Sequence, residues 1–422
     1  MSTLEFKPPE PASGQCLQCP KMAWSRLHDT MPAVRTVHSI DLDVTEACNL
    51  ACIYCFKWQK KAVNMDEATA KNAIDWLLEA SGGTRELKVN LMGGEPLIRF
   101  DLVQKIVPYG KLRARQRGKS LHFGCTTNCT LLTDEILSFW RRFGMGFHCS
   151  IDGIPEVQDF NRPFLGGKGS SAAIEKNVPK ILSYRPEVMA RATVSPKSVP
   201  FLNESARYLA ALGFGSMTFK VAVNCDWSPK DFDVLRSQYQ KVGEFYIDGL
   251  MSGKPLNIDE FRKGIRALHS VTRNSRFPCG AGRGVVLVDP RGDLWPCHRF
   301  GPHQCGGMFR FGKLGEPFDD RLRAVFLNYN IIEDAKSDCA KCRAALTCRT
   351  WCYAECVDST HTFYDPGAEY CQASKILHDQ ILQLDDYLRS HRPGILRDLL
   401  KKDGSVRQRA NRRGIRRIGR SG

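Results

Sequence analysis

The stretch Thr-Glu-Ala-Cys-Asn-Leu-Ala-Cys-Ile-Tyr-Cys places Cys48, Cys52 and Cys55 in one short loop, and this triplet constrains the chain more than any other feature. A cubane iron–sulfur cluster has four irons, and bacterial ferredoxins give each one a thiolate. Three thiols with no fourth nearby leave one iron open, and an open metal position is where chemistry happens. A zinc site and inert buried cysteines are the alternatives. Zinc loops usually pair two thiols and add a second pair, a pattern that a lone triplet does not match.

The 18 cysteines of the chain need a reason other than disulfides. The N-terminal run Met-Ser-Thr-Leu-Glu-Phe-Lys-Pro-Pro-Glu-Pro lacks a basic-then-apolar signal pattern, and no apolar run approaches membrane-spanning length. No membrane partner and a cytoplasmic location are therefore expected. Thiols stay reduced there, so cluster or metal ligation accounts better for the cysteines. A length of 422 residues allows two or three domains, and 42% hydrophobic with 25% charged residues is ordinary for a globular protein. Between Lys401 and Gly422, nine basic residues face Asp403 alone, which is half of the formal net charge of +16. Such a run reads first as a solvated tail, and otherwise as a dock for an acidic peptide or a nucleic acid. No aromatic stacking platform accompanies it, which argues against nucleic acid.

From Thr36 to about Phe219 short β-branched runs alternate with amphipathic stretches, as βα units around a parallel sheet do. Strands are expected at Val37–Val44, Leu87–Met92, Leu121–Thr126, Gly146–Ile151, Ala190–Val194 and Met217–Val221. Asp66–Ala80 reads as a helix, as does Thr133–Phe143, with Thr133 as N-cap and Gly144 beyond its end. Six such units suggest an α/β fold with a partial (β/α)6 TIM-like barrel. A helix near Lys230–Leu250 precedes a less regular connection up to Pro278. Cys279 to Cys371 is rich in cysteine, glycine and proline, with little periodicity, and is expected to fold around metal rather than a conventional core. Ala373–Leu388 reads as a closing helix. The expected division is an extension at 1–35, the barrel at 36–250, a connection at 251–278, a small cysteine-rich iron–sulfur domain at 279–385, and a helix with basic tail at 386–422.

The CX3CX2C spacing with Tyr54 before the last thiol resembles the radical S-adenosylmethionine (SAM) superfamily. The resemblance implies that Cys48, Cys52 and Cys55 hold a [4Fe–4S] cluster whose open iron binds SAM. Electron transfer then cleaves SAM to methionine and a 5′-deoxyadenosyl radical. Gly93-Gly94-Glu95-Pro96, directly after the second strand, is similar to the family's GGEP motif. There glycines let backbone approach a ligand, and carbonyls and Glu95 could accept from the SAM ammonium. Ser150 and Asp152 suit ribose hydroxyls, and Arg191 matches the arginine that takes the SAM carboxylate bidentately. Tyr54 and Asn128 complete the expected SAM contacts. Thr127-Asn128-Cys129 departs from the commoner Thr-Asn-Gly, and Gln158-Asp159 with Arg162 stands where the family often has His-Asp-x-x-Arg.

A second ladder runs Cys279, Cys297, Cys339, Cys342, Cys348, Cys352 and Cys371. A double zinc ribbon is the alternative from spacing alone. The ladder resembles the SPASM domain of radical SAM enzymes, and Cys279-Gly-Ala-Gly with Gly-Asp-Leu-Trp-Pro-Cys-His-Arg-Phe is similar to peptide maturases of that group. The resemblance implies SAM plus three [4Fe–4S] clusters. Cys339, Cys342, Cys348 and Cys371 would hold one auxiliary cluster. Cys279, Cys297 and Cys352 would hold the other, with Cys305 or Cys356 as a fourth ligand, or an iron open to substrate. Anaerobic sulfatase-maturating enzymes place an aspartate base directly after the cysteine matching Cys297, where this chain has His298 as its candidate base.

The expected activity is thus oxidative modification of a ribosomally made peptide, as a thioether or carbon crosslink. The alternatives are formylglycine-type side-chain oxidation, small-molecule alcohol oxidation, or an electron carrier without turnover. Expected partners are the precursor peptide, a flavodoxin- or ferredoxin-type reductant, and a separate leader-binding protein. That last expectation arises because about 35 residues before the first strand are too few for a leader-binding domain.

Overall fold

The computed structural model describes residues 36–57, 62–222, 225–253, 256–270, 279–302, 307–328, 339, 341–348, 352–360 and 365–401. Cys16, Cys19, Cys305 and the basic tail beyond Lys401 lie outside them. The first half alternates as its pattern predicts: β1 (Ser39–Thr45), α1 (Glu67–Ala80), β2 (Glu86–Gly93), α2 (Phe100–Gln116), β3 (Ser120–Thr127), α3 (Asp134–Phe143) and β4 (Gly146–Ser150). Next come α4 (Pro155–Asn161), α5 (Ser171–Glu175), α6 (Val178–Tyr184), β5 (Met189–Val194), α7 (Leu202–Ala211), β6 (Ser216–Val221) and α8 (Pro229–Met251). Helix starts follow cap chemistry. Asp66 accepts from the Thr69 amide, Thr133 from that of Ile136, and Ser228 forms a capping box with Asp231, each cap being worth about 1 kcal/mol. Gly144 ends α3 in the left-handed region at φ 61°.

Strands β1 to β6 pair in parallel and in chain order. Ile40, Leu42 and Val44 alternate with Asp41 and Asp43 along β1, and only the apolar set joins the core with Ala70, Ile74 and Leu77 of α1. Because side chains alternate across a strand, Asp41 and Asp43 stand on the opposite, concave face.

Three expectations change. The connection expected at 251–278 contains β7 (Asn257–Ile258), parallel to β6, and α9 (Asp259–Leu268). A two-residue strand has no period to read, whereas α9 buries Phe261, Gly264 and Ile265 on one face. Nor does the cysteine-rich segment stand apart. Its β8 (Val285–Val288) pairs in parallel with β1, and the antiparallel β9 (Asp293–Trp295) and β10 (Gly312–Lys313) extend the same sheet. The sheet therefore continues past β1 instead of closing.

The segment also builds an apolar core. Among α10 (Asp320–Asn328), α11 (Tyr353–Thr360) and the hairpin, Trp295, Phe300, Phe309, Phe311, Phe326 and Tyr353 are fully buried. Phe300 packs on Phe309 at 4.8 Å between ring centroids and edge-on to Phe326 at 5.6 Å. Aromatic rings bury much area per residue, so a short aperiodic segment can still exclude water. Helices α12 (Ala368–His391) and α13 (Pro393–Leu400) close the chain, with α12 against α8 and α9.

Candidate active site

The cysteine loop leaves the carboxyl end of β1 and is tied down along its length. Ala51 donates to the Pro163 carbonyl at 2.7 Å, Ile53 to that of Asn161 at 3.0 Å, and Leu165 to that of Asn49 at 3.1 Å. Leu50 bridges Phe164 in the same antiparallel register. Residues 49–53 thus run as a short ribbon beside 161–165. At the other side Gly94 donates to Thr45 at 2.8 Å and Glu95 to Ala47 at 2.9 Å. A Cβ on Gly93 would lie 2.0 Å from the Thr45 carbonyl oxygen, and one on Gly94 2.1 Å from that of Ala47. The two glycines are what let the second strand's end lie against the thiol-bearing loop.

The remaining expected contacts converge here, though some are already engaged. The buried Glu95 carboxylate accepts from the Leu97 amide at 3.0 Å, the Thr127 hydroxyl at 2.8 Å and the Asn128 amide at 2.8 Å. Burial outweighs these donors and pushes its pKa up to about 7. It braces the ends of β2 and β3. Asn128 donates to Asn49 at 2.8 Å, again holding the cysteine loop. Cys129 takes the left-handed conformation at φ 60°, where a glycine would be unstrained. It is fully buried beside Cys149, so it belongs to the interior.

Asp152 is a hub. Its Oδ1 accepts from Arg162 at 2.9 Å and the Thr193 amide at 2.9 Å, and its Oδ2 accepts from Asn161 at 3.0 Å and from the Tyr54 hydroxyl. Tyr54 therefore anchors the loop's last turn to the end of β4. Ser150 lies beside Arg191 in the β4–β5 register. Arg191 stands on the concave face, reached by solvent yet flanked by protein, and burial lowers its pKa against the charges of Asp259 and Glu260. A cavity of about 410 Å³ opens between the cysteine loop and the ends of β5 and β6, lined by Ile53, Phe160, Ser195, Pro196, Lys197, Cys225 and Asp231.

The second thiol field gathers as two groups. Cys297 and Cys352, which immediately precedes α11, lie within electrostatic reach of each other and of Cys279. Burial raises all three thiols, Cys352 to about 12. Cys348 is pushed up to about 11, by burial first, with Cys371, Cys342 and Cys339 adding to it. Metal binding at either group would have to displace these protons. Among the described residues no three ligating side chains close on a single ion. Cys356 is fully buried one helical turn after Cys352.

His298, directly after Cys297, reaches back to the barrel. Its Nδ1 pairs with Asp41 at 2.7 Å, and Asn90 donates to the same carboxylate at 3.2 Å. Burial pushes the Asp41 pKa up, but His298 and Asn90 outweigh it and leave it lowered. Phe56, next to Cys55, touches the His298 ring at 5.9 Å and carries the Arg299 guanidinium at 4.9 Å. The two cysteine fields therefore meet through adjacent residues. Sequence reasoning overlooked Asp41 and Asn49, although two acids alternating with apolar residues in a core strand were a visible signal.

The family model of the radical SAM superfamily matches residues 42–197. The chain carries a radical SAM domain. The chain is 36% identical over 178 residues to an uncharacterized protein of Methanocaldococcus jannaschii, covering 42% of this chain and 60% of that protein. It is 28% identical over 341 residues to the serine-type anaerobic sulfatase-maturating enzyme of Klebsiella aerogenes, covering 75% and 80%. Its fold matches a structure of anSMEcpe with bound AdoMet at a TM-score of 0.71 and 17% identity, covering 86% and 97%. It also matches Streptococcus suis SuiB bound to precursor peptide SuiA at 0.54 and 13%, covering 80% and 76%. The radical SAM superfamily implies SAM and a [4Fe–4S] cluster. Among the described residues no helix is long and apolar enough to cross a membrane.

Proposed function

We propose that this radical SAM enzyme oxidatively modifies a ribosomally made peptide, forming a thioether or carbon crosslink. The observation that carries this reading is the meeting of the two thiol fields at Phe56, His298 and Arg299 beside the concave face of the barrel. Cys48, Cys52 and Cys55, three free, half-buried thiols in one short loop, would hold the SAM-binding cluster. Gly93, Gly94, Asn128, Ser150 and Arg191 surround the space for SAM, while Tyr54, Glu95 and Asp152 fix the surrounding loops. The two auxiliary groups would be Cys279, Cys297 and Cys352, with Cys305, Cys356 or substrate as the fourth ligand, and Cys339, Cys342, Cys348 and Cys371. When bound, SAM and its cluster supply a carbon radical able to take hydrogen from an unactivated C–H bond, chemistry that belongs to the cofactor. Loss of a further electron from the substrate makes the net change a two-electron oxidation, which gives the auxiliary thiols a purpose.

The chain's own residues position and shield. Arg191 offers a bidentate donor pair to a carboxylate, and the buried Asp152 hub keeps the cysteine loop from moving during turnover. A flavodoxin- or ferredoxin-type protein would supply electrons, and the precursor peptide would be presented with a separate leader-binding protein. SuiB with its precursor peptide supports a peptide substrate for this fold. A second reading, formylglycine-type oxidation of a serine or cysteine, is favoured by the 28% identity over 341 residues to a serine-type anaerobic sulfatase-maturating enzyme, although His298, paired with Asp41, stands where those maturases carry an aspartate. Anaerobic co-expression with each short peptide encoded beside the gene, followed by mass spectrometry, tests the proposal. Loss of two hydrogens per event, absent when Cys48, Cys52 and Cys55 are all changed to Ala, supports crosslinking. An unchanged mass for every peptide, alongside release of 5′-deoxyadenosine, refutes it.

A further inference from the structure

The antiparallel ribbon between 49–53 and 161–165 has a fixed register. Ala51 is bonded to Pro163, Ile53 to Asn161 and Asn49 to Leu165, so Cys52 falls directly opposite Arg162. Cys52 and Arg162 occupy the kind of antiparallel position that exchanges no backbone hydrogen bonds, where opposed side chains come closest. Arg162 is 8% exposed, paired through Nη2 with Asp152 at 2.9 Å, and its guanidinium lies 5.4 Å from the Tyr54 ring centroid. Its Nε–H is buried and has no acceptor. A buried donor left without a partner is rare enough to need a reason, and the planar guanidinium is held in place by the Asp152 contact through Nη2, the nitrogen that shares an edge with Nε–H.

We infer that Arg162 is an outer-sphere donor to the cysteine loop: its Nε–H is held for the Cys52 sulfur, and its charge raises the reduction potential of a cluster bound there. This rests on the reading of Cys48, Cys52 and Cys55 as cluster ligands. Potentials of iron–sulfur centres follow hydrogen bonds to sulfur, local charge and burial. Asp152 cancels part of the cation's field, so the net effect is moderate. Asp152 then does more than brace: it sets the angle of the fork, and Tyr54 seals it from solvent.

The test is an EPR-monitored redox titration of the reconstituted full chain, without substrate, with iron and sulfide content measured on each sample. In Arg162→Gln the reduced-to-oxidised ratio of the SAM-binding cluster at fixed poise should fall about tenfold, equivalent to about 59 mV for one electron. Arg162→Lys, which keeps a charge but loses the planar fork, should shift it less and in the same direction. Wild-type protein grown with 15N-arginine gives a second measurement that needs no variant to fold. Pulsed EPR of the reduced cluster should show a guanidinium nitrogen coupling that Arg162→Lys abolishes. An unchanged potential in Arg162→Gln at full iron content overturns the inference, as does a missing nitrogen coupling in the wild type. Failure of the wild type to take up a cluster at the triplet would instead overturn the reading beneath it.

Discussion

Gly94→Ala is the sharpest single perturbation of this site. A Cβ at position 94 would lie 2.1 Å from the Ala47 carbonyl oxygen, 2.5 Å from its carbon and 2.7 Å from the Glu46 oxygen. All three are backbone atoms, so no rotamer change can relieve the overlap. Ordinary carbon–oxygen contact begins about 1 Å farther out, so either β2 or the backbone just before Cys48 must move by roughly that distance. The β2 end cannot give easily, because Glu95 is held by three donors. The displacement therefore falls on the cysteine loop, where about 1 Å of misplacement can cost on the order of a hundredfold in rate. The assay is 5′-deoxyadenosine formation from SAM with dithionite, normalised to iron content, with calorimetry for SAM affinity. Gly83→Ala is the control, since a Cβ there meets nothing within 4 Å. A Gly94→Ala protein with wild-type SAM cleavage and affinity would refute the argument that this close approach positions the loop.

The buried Glu95 carboxyl, pushed up to about 7 by burial, binds its proton more tightly folded than unfolded. Its stabilising contribution is therefore complete below the unfolded carboxyl range and is lost as pH rises through 7, a change of about 3 kcal/mol that Glu95→Gln should abolish; anaerobic denaturant midpoints at pH 5 and 8 measure it. Asp152→Ala strands the buried Arg162 and should destabilise the barrel by about 3–5 kcal/mol, read as a lower thermal midpoint. Cys305→Ala and Cys356→Ala should each be analysed for iron: a loss in either identifies the fourth ligand of the Cys279, Cys297 and Cys352 group, and full content in both favours an iron open to substrate.

What could be read in the sequence was whatever is encoded locally. Six strands, the caps at Asp66 and Thr133 and the stop at Gly144 follow from neighbouring residues, and all are present. The triplet and the glycine pair could likewise be read as one site, and the structure sets the glycine pair against Thr45 and Ala47, just before Cys48. The pairing of β8 with β1 joins residues 246 positions apart, and no periodicity within either strand announces such a partner. For the same reason the aromatic core of the cysteine-rich segment stayed hidden, since its rings are drawn together by tertiary packing rather than by spacing.

Roles within the site obey the same division. Glu95 and Asp152 look like ligand contacts because each is a carboxylate after a strand. What decides their use is the set of donors aimed at them from other strands, and for both that set is already full. Arg191 shows the opposite case: it is the exposed residue of β5, with the Asp259 and Glu260 charges acting on it against burial. If motif residues divide in this way, substitutions should divide too. Changes at Arg191 should weaken SAM affinity while iron content and thermal midpoint hold, whereas changes at Asp152 should lower all three together. A variant at Arg191 that unfolds the barrel, or one at Asp152 that weakens SAM alone, would show that the donor count does not separate ligand contacts from braces.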